Sequence, residues 1–431
     1  MLKLWGRSPK TDDSSEQSFS HPFTALAEPG YRALWLSILG SYSAMQMNIV
    51  ARGYLAFILT NSAVALGVVS LARAVPMLIL APYAGVVADR ADKRKLLILT
   101  QVVLVGVAIT TSLLVHFNLI QIWHLIVLSL VEGTVFTFNM PTRQSILPEL
   151  VSHERLGNAV ALNATGRNLT RIVAPSLAGV LIGLPMFGIS GSFDCVAAFY
   201  AIAVLLLFRL HVKPEGSGIP ARAAARRGGL SGMGDGFRYI LSNPNLRILV
   251  ILGFIPVLLG TPYQTLLPVF QVRVLGVSAE GLGVMYGAAG VGGLIGSLVV
   301  AAVAANPKKA SLQLIFGIFF GLSLLLFAAV HFFAMDLVFL VLVGLAGDGY
   351  STLNSTMVML NTDKAWYGRV MSIYLMNFAL MPLATLPLGA LSDMISAPFA
   401  VGSAAVLIIL VVGGVGLFYP PYRKVGEATG A

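Results

Sequence analysis

Long apolar stretches of near-constant length dominate this chain, broken by short polar turns. A helix needs roughly 20 residues to cross the hydrocarbon core of a bilayer. Stretches of that length fall at 33–59, 63–87, 96–116, 122–140, 157–183, 191–210, 246–270, 280–304, 311–331, 337–359, 370–391 and 398–418. The pattern predicts an all-α membrane protein of twelve transmembrane helices. The longest polar interruption falls between spans 6 and 7, which divides the chain into two six-helix bundles. The expected parts are a tail at 1–31, a first bundle at 32–210, a linker at 211–245, a second bundle at 246–419 and a tail at 420–431. The linker's end, from Gly236 to Leu249, reads as an amphipathic surface helix that Pro244 terminates. Phe237, Tyr239 and Ile240 are expected in the membrane interface, with Arg238 in water.

Composition agrees: 57% of the residues are hydrophobic and only 11% charged, with a mean hydropathy of +0.85. Loops on the cytosolic side collect lysine and arginine. Arg273 is the one basic residue in a predicted loop on the opposite side, so both termini are expected in the cytosol, with the chain multi-pass in an inner (plasma) membrane. The formal charge of +10 follows from the same asymmetry and implies no nucleic-acid partner. The first 30 residues are polar and the first apolar run is too long for a signal peptide core, so no cleavable leader is expected. A single cysteine, Cys195, excludes an internal disulfide, and six scattered histidines have no ligand spacing. No metal and no cofactor are expected. With no nucleophile beside a base and no phosphate-binding loop, an enzyme is not expected either. Asn-x-Ser/Thr matches at Asn163, Asn168 and Asn354 fall within spans and are read as chance.

Charges inside the spans change the picture. Arg52, Arg73, Glu132, Arg167, Arg171, Asp194 and Asp348 all lie there. At roughly 2.5–3.5 kcal/mol each, leaving them unpaired would cost on the order of 20 kcal/mol. Most must therefore face the bundle interior. Helical spacing puts Asn48 and Arg52 on one face of span 1, and Asn163, Arg167 and Arg171 on one face of span 5. Asp348, Ser351, Thr352 and Ser355 form a polar stripe on span 10. Glu132 and Arg167 lie at comparable depths and are expected to pair, while Asp194 reads as a wet rim residue or a local cap. Glu132, Asp348, Arg52, Arg167 and Arg171 are the candidates for proton coupling, with helix-orienting ion pairs as the alternative. A substrate pocket is expected from Asn48, Tyr54, Phe136, Tyr263, Gln264, Tyr350, Tyr374 and Asn377, with Met376 and Met381 as adaptable surface.

Short matches recur in the same order in both halves. Ala65-Leu66-Gly67-Val68 echoes Gly281-Leu282-Gly283-Val284, and Glu132-Gly133 echoes Asp348-Gly349. Gly179-Val180-Leu181 likewise echoes Gly389-Ala390-Leu391. This order predicts two parallel repeats, with Glu132 and Asp348 at matching points near the membrane midplane. In span 8, Gly283 with Gly287 and Gly292 with Gly296 stand at the four-residue spacing that lets membrane helices approach closely.

Gly85 to Lys95, GVVADRADKRK, resembles the signature between helices 2 and 3 of the major facilitator superfamily. That resemblance implies a conformational latch at Gly85, Asp89, Arg90 and Arg94. Asn139 to Val151, Leu156 to Asn163 and Tyr367 to Ser372 are similar to the drug:proton antiporter branch that contains macrolide-efflux and enterobactin-export proteins. In that branch the first of these segments is a cytosolic loop between helices 4 and 5. Arg171 to Pro175, running on to Gly179, resembles the antiporter motif of helix 5. Two departures stand out: Ala174 precedes the proline where glycine is usual, and Ser129 occupies the usual arginine position of helix 4. The resemblance implies a monomeric secondary transporter in the lipid bilayer. It is expected to export an amphiphilic small molecule, a drug or siderophore, by proton antiport. The alternatives are an ion-coupled or facilitative importer, or a lipid flippase or non-transporting sensor on the same fold.

Overall fold

The computed structural model describes residues 23–210, 230–303, 308–363, 366–419 and 422; most of both predicted tails and of the linker lie outside the described residues. The first bundle comprises α1 (Pro29–Thr60), α2 (Ala63–Arg90), α3 (Lys93–His116), α4 (Ile122–Leu150), α5 (His153–Gly183) and α6 (Gly188–Phe208). After the connecting α7 (Leu230–Ser242), α8 (Pro244–Ile255) and α9 (Tyr263–Val269) form one column. The second bundle continues through α10 (Ala279–Ala302), α11 (Lys309–Ala329), α12 (Phe333–Leu360), α13 (Tyr367–Leu375), α14 (Asn377–Met394) and α15 (Ala397–Phe418). No strand occurs among the described residues. Each predicted stretch coincides with a helix or with two helices in series. Nine spans among the described residues are long and apolar enough to cross a membrane by themselves. The others are α1 and α5, which carry interior amides and guanidiniums, and the α13–α14 pair, which breaks at Met376.

Local chemistry accounts for the irregularities. The α8–α9 column holds Pro256, Pro262 and Pro268, which lack an N–H to donate. Wide turns at Pro256–Gly260 and Phe270–Val274 absorb the mismatch: the Thr261 N–H reaches back five residues to the Pro256 carbonyl at 2.6 Å. Asn61 ends α1 at φ 47°, a left-handed conformation that asparagine tolerates. Asp92 caps α3 by accepting the Lys95 N–H at 3.0 Å, and this bond holds its exposed carboxyl below the usual carboxylate range.

Two expectations are corrected. The stretch from Asn139 read as a loop continues α4 to Leu150, through Pro141 and Pro148. Arg143 pins it there: its guanidinium is buried and donates to Asn139 Oδ1 at 2.7 Å, Ser41 Oγ at 2.8 Å and Gln101 Oε1 at 3.0 Å. On α7, Tyr239 and Ile240 face the second bundle rather than the lipid interface. The Tyr239 ring stacks on Trp366 at 4.8 Å, its hydroxyl donates to Asp363 at 2.9 Å, and Ile240 is buried. Phe237 is left exposed, as expected.

The start of α1 and the end of α15 share one face, here the terminal face. The short α1–α2, α5–α6 and α9–α10 connections lie on the opposite, distal face. The halves meet along α2–α14 and α5–α10, near the distal face. A Cβ on Gly389 would come within 2.7 Å of the Ala63 carbonyl oxygen, and Gly179 and Gly283 leave no room between them for a side chain. The two glycine pairs of α10 therefore serve different neighbours. Gly283 and Gly287 face α5 across the halves, whereas Gly292 and Gly296 press on the α12 backbone at Val341 and Leu345 within one half.

That division predicts different outcomes for two substitutions in a Cys195→Ser background. Gly292→Leu should destabilise the solubilised protein by about 1–3 kcal/mol, the usual cost of overpacking. Gly179→Leu should leave the unfolding midpoint nearly unchanged and raise distal labelling of a cysteine at Ser176. Equal destabilisation by both, with no gain in labelling, would contradict it.

Candidate functional site

Between the halves lies a cavity of about 910 Å³, which reaches toward the terminal face at Met359 and Met371. Its N-terminal wall centres on Glu132, which is fully buried on α4. Arg52 of α1 lies 2.5 Å from one carboxylate oxygen, and Arg73 of α2 lies 3.8 Å from the other. The Asn48 amide donates to both oxygens, at 3.0 and 3.1 Å. Arg52 also donates to Ser129 Oγ at 2.8 Å, and the Arg73 guanidinium lies 4.8 Å over the Phe136 ring. Ser129 is the position where the resemblance expects an arginine. The small serine leaves space that Arg52 enters from α1, so the cation missing from α4 arrives from its neighbours.

Arg171 on α5 and Asp348 on α12 form an ion pair between the halves, at 3.3 Å. Both side chains are open to the cavity, 49% and 31% exposed. Gly293 on α10 makes the room, since a Cβ there would overlap the Asp348 carboxylate. Ser351, Thr352 and Ser355 continue the polar wall on α12, with Tyr263, Gln264, Tyr374 and Met381 nearby. The expected Glu132–Arg167 pair does not form. α4 packs along α2 and touches α5 little, so the nearer guanidiniums, Arg52 and Arg73, take the carboxylate. Arg167 lines the cavity instead, with its guanidinium 6.0 Å from the centre of the Tyr42 ring.

Of the expected pocket residues, Asn48, Tyr263, Gln264 and Tyr374 line the cavity. Tyr54, Phe136 and Tyr350 do not, which corrects that expectation. Tyr54 packs against apolar clusters, Phe136 is buried beneath Arg73, and the buried Tyr350 hydroxyl donates to the Leu252 carbonyl at 2.9 Å. The side chains of Asn377, Asp89 and Arg90 and the surroundings of Gly85 lie outside what the structure describes. Arg94 donates to the Phe208 carbonyl at 2.6 Å and ties α3 to α6. Asp194 hydrogen-bonds with Ser112.

A second tie between the halves escaped the sequence. Asp393, at the distal end of α14, accepts from the Ala63 N–H at 2.9 Å, the Val64 N–H at 3.0 Å and Ser62 Oγ at 2.6 Å. It thus caps α2 of the opposite half. Arg273 donates to the same carboxylate at 3.0 Å, hydrogen-bonds with the Asn61 carbonyl, and lies 5.0 Å over the Phe57 ring. One signal was available: a carboxylate in the last turn of a helix opposes the macrodipole and asks for an external partner.

The family described as transmembrane secretion effector matches residues 20–423. The staphyloferrin A transporter of Staphylococcus aureus is 30% identical over 340 residues, 78% of this chain and 83% of that one. The multidrug efflux pump Tap of Mycolicibacterium fortuitum is 25% identical, covering 89% of this chain and 94% of its own. The enterobactin exporter EntS of Escherichia coli O127:H6 is 24% identical, covering 89% and 90%. Among solved structures, a bacterial homologue of the human lysosomal transporter Spinster, inward-facing and occupied, gives a TM-score of 0.72 at 13% identity over 94% of this chain and 98% of that one. An inward-facing bacterial homologue of ferroportin gives 0.67 at 15% identity, over 89% and 98%.

Removing a carboxylate that two guanidiniums share should be costly. Glu132→Ala is expected to destabilise the protein by about 3–5 kcal/mol, the cost of stranding a buried charge, and Glu132→Gln by less, since its amide oxygen still accepts. Arg167→Gln should barely shift the midpoint. Thermal unfolding of the purified variants measures all three; a Glu132→Ala midpoint equal to that of Arg167→Gln would contradict the geometry.

Proposed function

Because this chain belongs to the transmembrane secretion effector family of the major facilitator superfamily, and is thus a membrane transporter rather than an enzyme, we propose that it exports a small molecule by proton antiport. The terminal face is cytosolic, in keeping with the concentration of basic residues in the loops on that side. The membrane is the inner (plasma) membrane, and one chain, which encloses the whole cavity, is the functional unit. Relatives named as siderophore and drug exporters support a cargo of that size.

The observation that carries this reading is the Arg171–Asp348 pair, which joins the halves inside the cavity and is open to it. The distal face is closed by the α2–α14 and α5–α10 contacts, so the cavity loads from the cytosol. Rocking of the halves then separates Arg171 from Asp348 and opens the cavity outward. Cargo leaves, and Asp348 takes a proton from outside in place of its lost guanidinium. When the halves return, Arg171 displaces that proton into the cytosol. Glu132 keeps its partners throughout, because Asn48, Arg52 and Arg73 all belong to its own half.

The test uses everted membrane vesicles acidified inside by respiration, with enterobactin, staphyloferrin A and hydrophobic drugs as candidate cargoes. Accumulation of at least one, abolished by a protonophore, is the expected result. Asp348→Asn should reach the membrane and bind that cargo yet lose the dependence on the pH gradient. Wild-type pH dependence in Asp348→Asn, or accumulation only in right-side-out vesicles, would overturn the proposal.

A further inference from the structure

We infer that the cavity is an anion site, which takes small molecules bearing clustered carboxylates and holds them at Arg167. The inference rests on the transport reading for its purpose, but its evidence is the charge of the wall. Four guanidiniums line the cavity, Arg52, Arg73, Arg167 and Arg171, against two carboxylates, Glu132 and Asp348. Among the described residues no lysine or histidine lines it, so the described wall carries a formal excess of two positive charges. Both carboxylates are already engaged: Glu132 by Arg52 and Arg73, and Asp348 by Arg171. A cationic ligand would meet a positive wall with no free counter-charge.

Arg167 is the remaining guanidinium of the wall. It is exposed to the cavity, and among the described residues no carboxylate lies within ion-pair distance of it. Its guanidinium lies 6.0 Å from the centre of the Tyr42 ring and interacts with the Tyr42 hydroxyl, and a guanidinium's five N–H donors leave others for a ligand. Arg171 follows one turn later on the same face of α5, and the Asn168 side chain lines the wall between them. Guanidiniums present paired donors that match a carboxylate in the plane. Opposite stand the hydroxyls of Ser351, Thr352 and Ser355, suited to the hydroxyl or further carboxylate groups of the same molecule. Met359, Met371 and Met381 give an apolar surface for the remainder. The same charge bears on the driving force. An anion leaving a cytosol that is negative inside moves down the membrane potential, so its export draws on the potential as well as on the proton gradient.

The test measures ligand-induced thermal stabilisation of the full chain in nanodiscs at constant ionic strength. Citrate and tricarballylate are compared with spermidine and tetraphenylphosphonium. The tricarboxylates should stabilise and the cations should not. Arg167→Gln should weaken tricarboxylate binding about tenfold, the worth of a charge-assisted hydrogen bond, and Arg167→Lys by less. Stabilisation by the cations alone, no stabilisation by either tricarboxylate, or tricarboxylate binding unchanged in Arg167→Gln would each overturn the inference. The vesicle assay separates the two readings. Gradient-driven, Asp348-dependent export of a cation without tricarboxylate binding removes the anion site and leaves the transporter. Tricarboxylate binding through Arg167 without any flux does the reverse.

Discussion

A guanidinium inside a membrane bundle has to face an anion or water, and in this chain that requirement fixes how the helices are arranged. Glu132 draws Arg52 from α1 and Arg73 from α2 onto α4. All three helices belong to the first half, so this cluster of three charges ties them to one another. Asp348 draws Arg171 from the opposite half, at 3.3 Å and within reach of cavity water. A buried pair is expensive to break, because each member is left desolvated, whereas a wet pair exchanges one partner for water at small cost. The same two residue types thus form a buried cluster in one place and an exposed pair in another.

Release of the central pair would do little if the distal face stayed shut, and that face has its own tie. Asp393 caps α2 of the opposite half while Arg273 spans from the Asp393 carboxylate to the α1–α2 turn. Glycines at Gly179, Gly283 and Gly389 bring the backbones close enough for these bonds to form. None of these contacts fills the core of either half, so each can be given up without unfolding a bundle. The Asp393–Arg273 tie is polar and lies between the halves, beside the close α2–α14 packing.

Much of this was legible in the sequence, for reasons that also mark the limit. Hydropathy located the helices because lipid demands an unbroken apolar length, and helical spacing found the inward faces of α1, α5 and α12. Spacing along one helix cannot say which neighbour a face meets. Comparable depth therefore points Glu132 to Arg167, whereas α2 lies closer and brings Arg73. Tyr350 is expected in the pocket as one of several aromatic side chains, yet its buried hydroxyl donates to the Leu252 carbonyl. Asn139 to Val151 resembles a loop, yet Pro141 and Pro148 lie inside α4, where buried Arg143 bonds to Ser41 and Gln101 of neighbouring helices. Asp393 and Arg273 are far apart in sequence, and only the fold brings them together.

The central claim is that the wet Arg171–Asp348 pair holds the two halves in the state closed at the distal face. Spin labels at Leu184 and Phe332, exposed distal positions in opposite halves, test it through pulsed electron–electron distance measurements in nanodiscs. The parent chain should give a single short-distance population, and Asp348→Asn should add a longer one as the distal face opens. Identical distance distributions in the two proteins would show that the pair does not govern the state and would contradict the account.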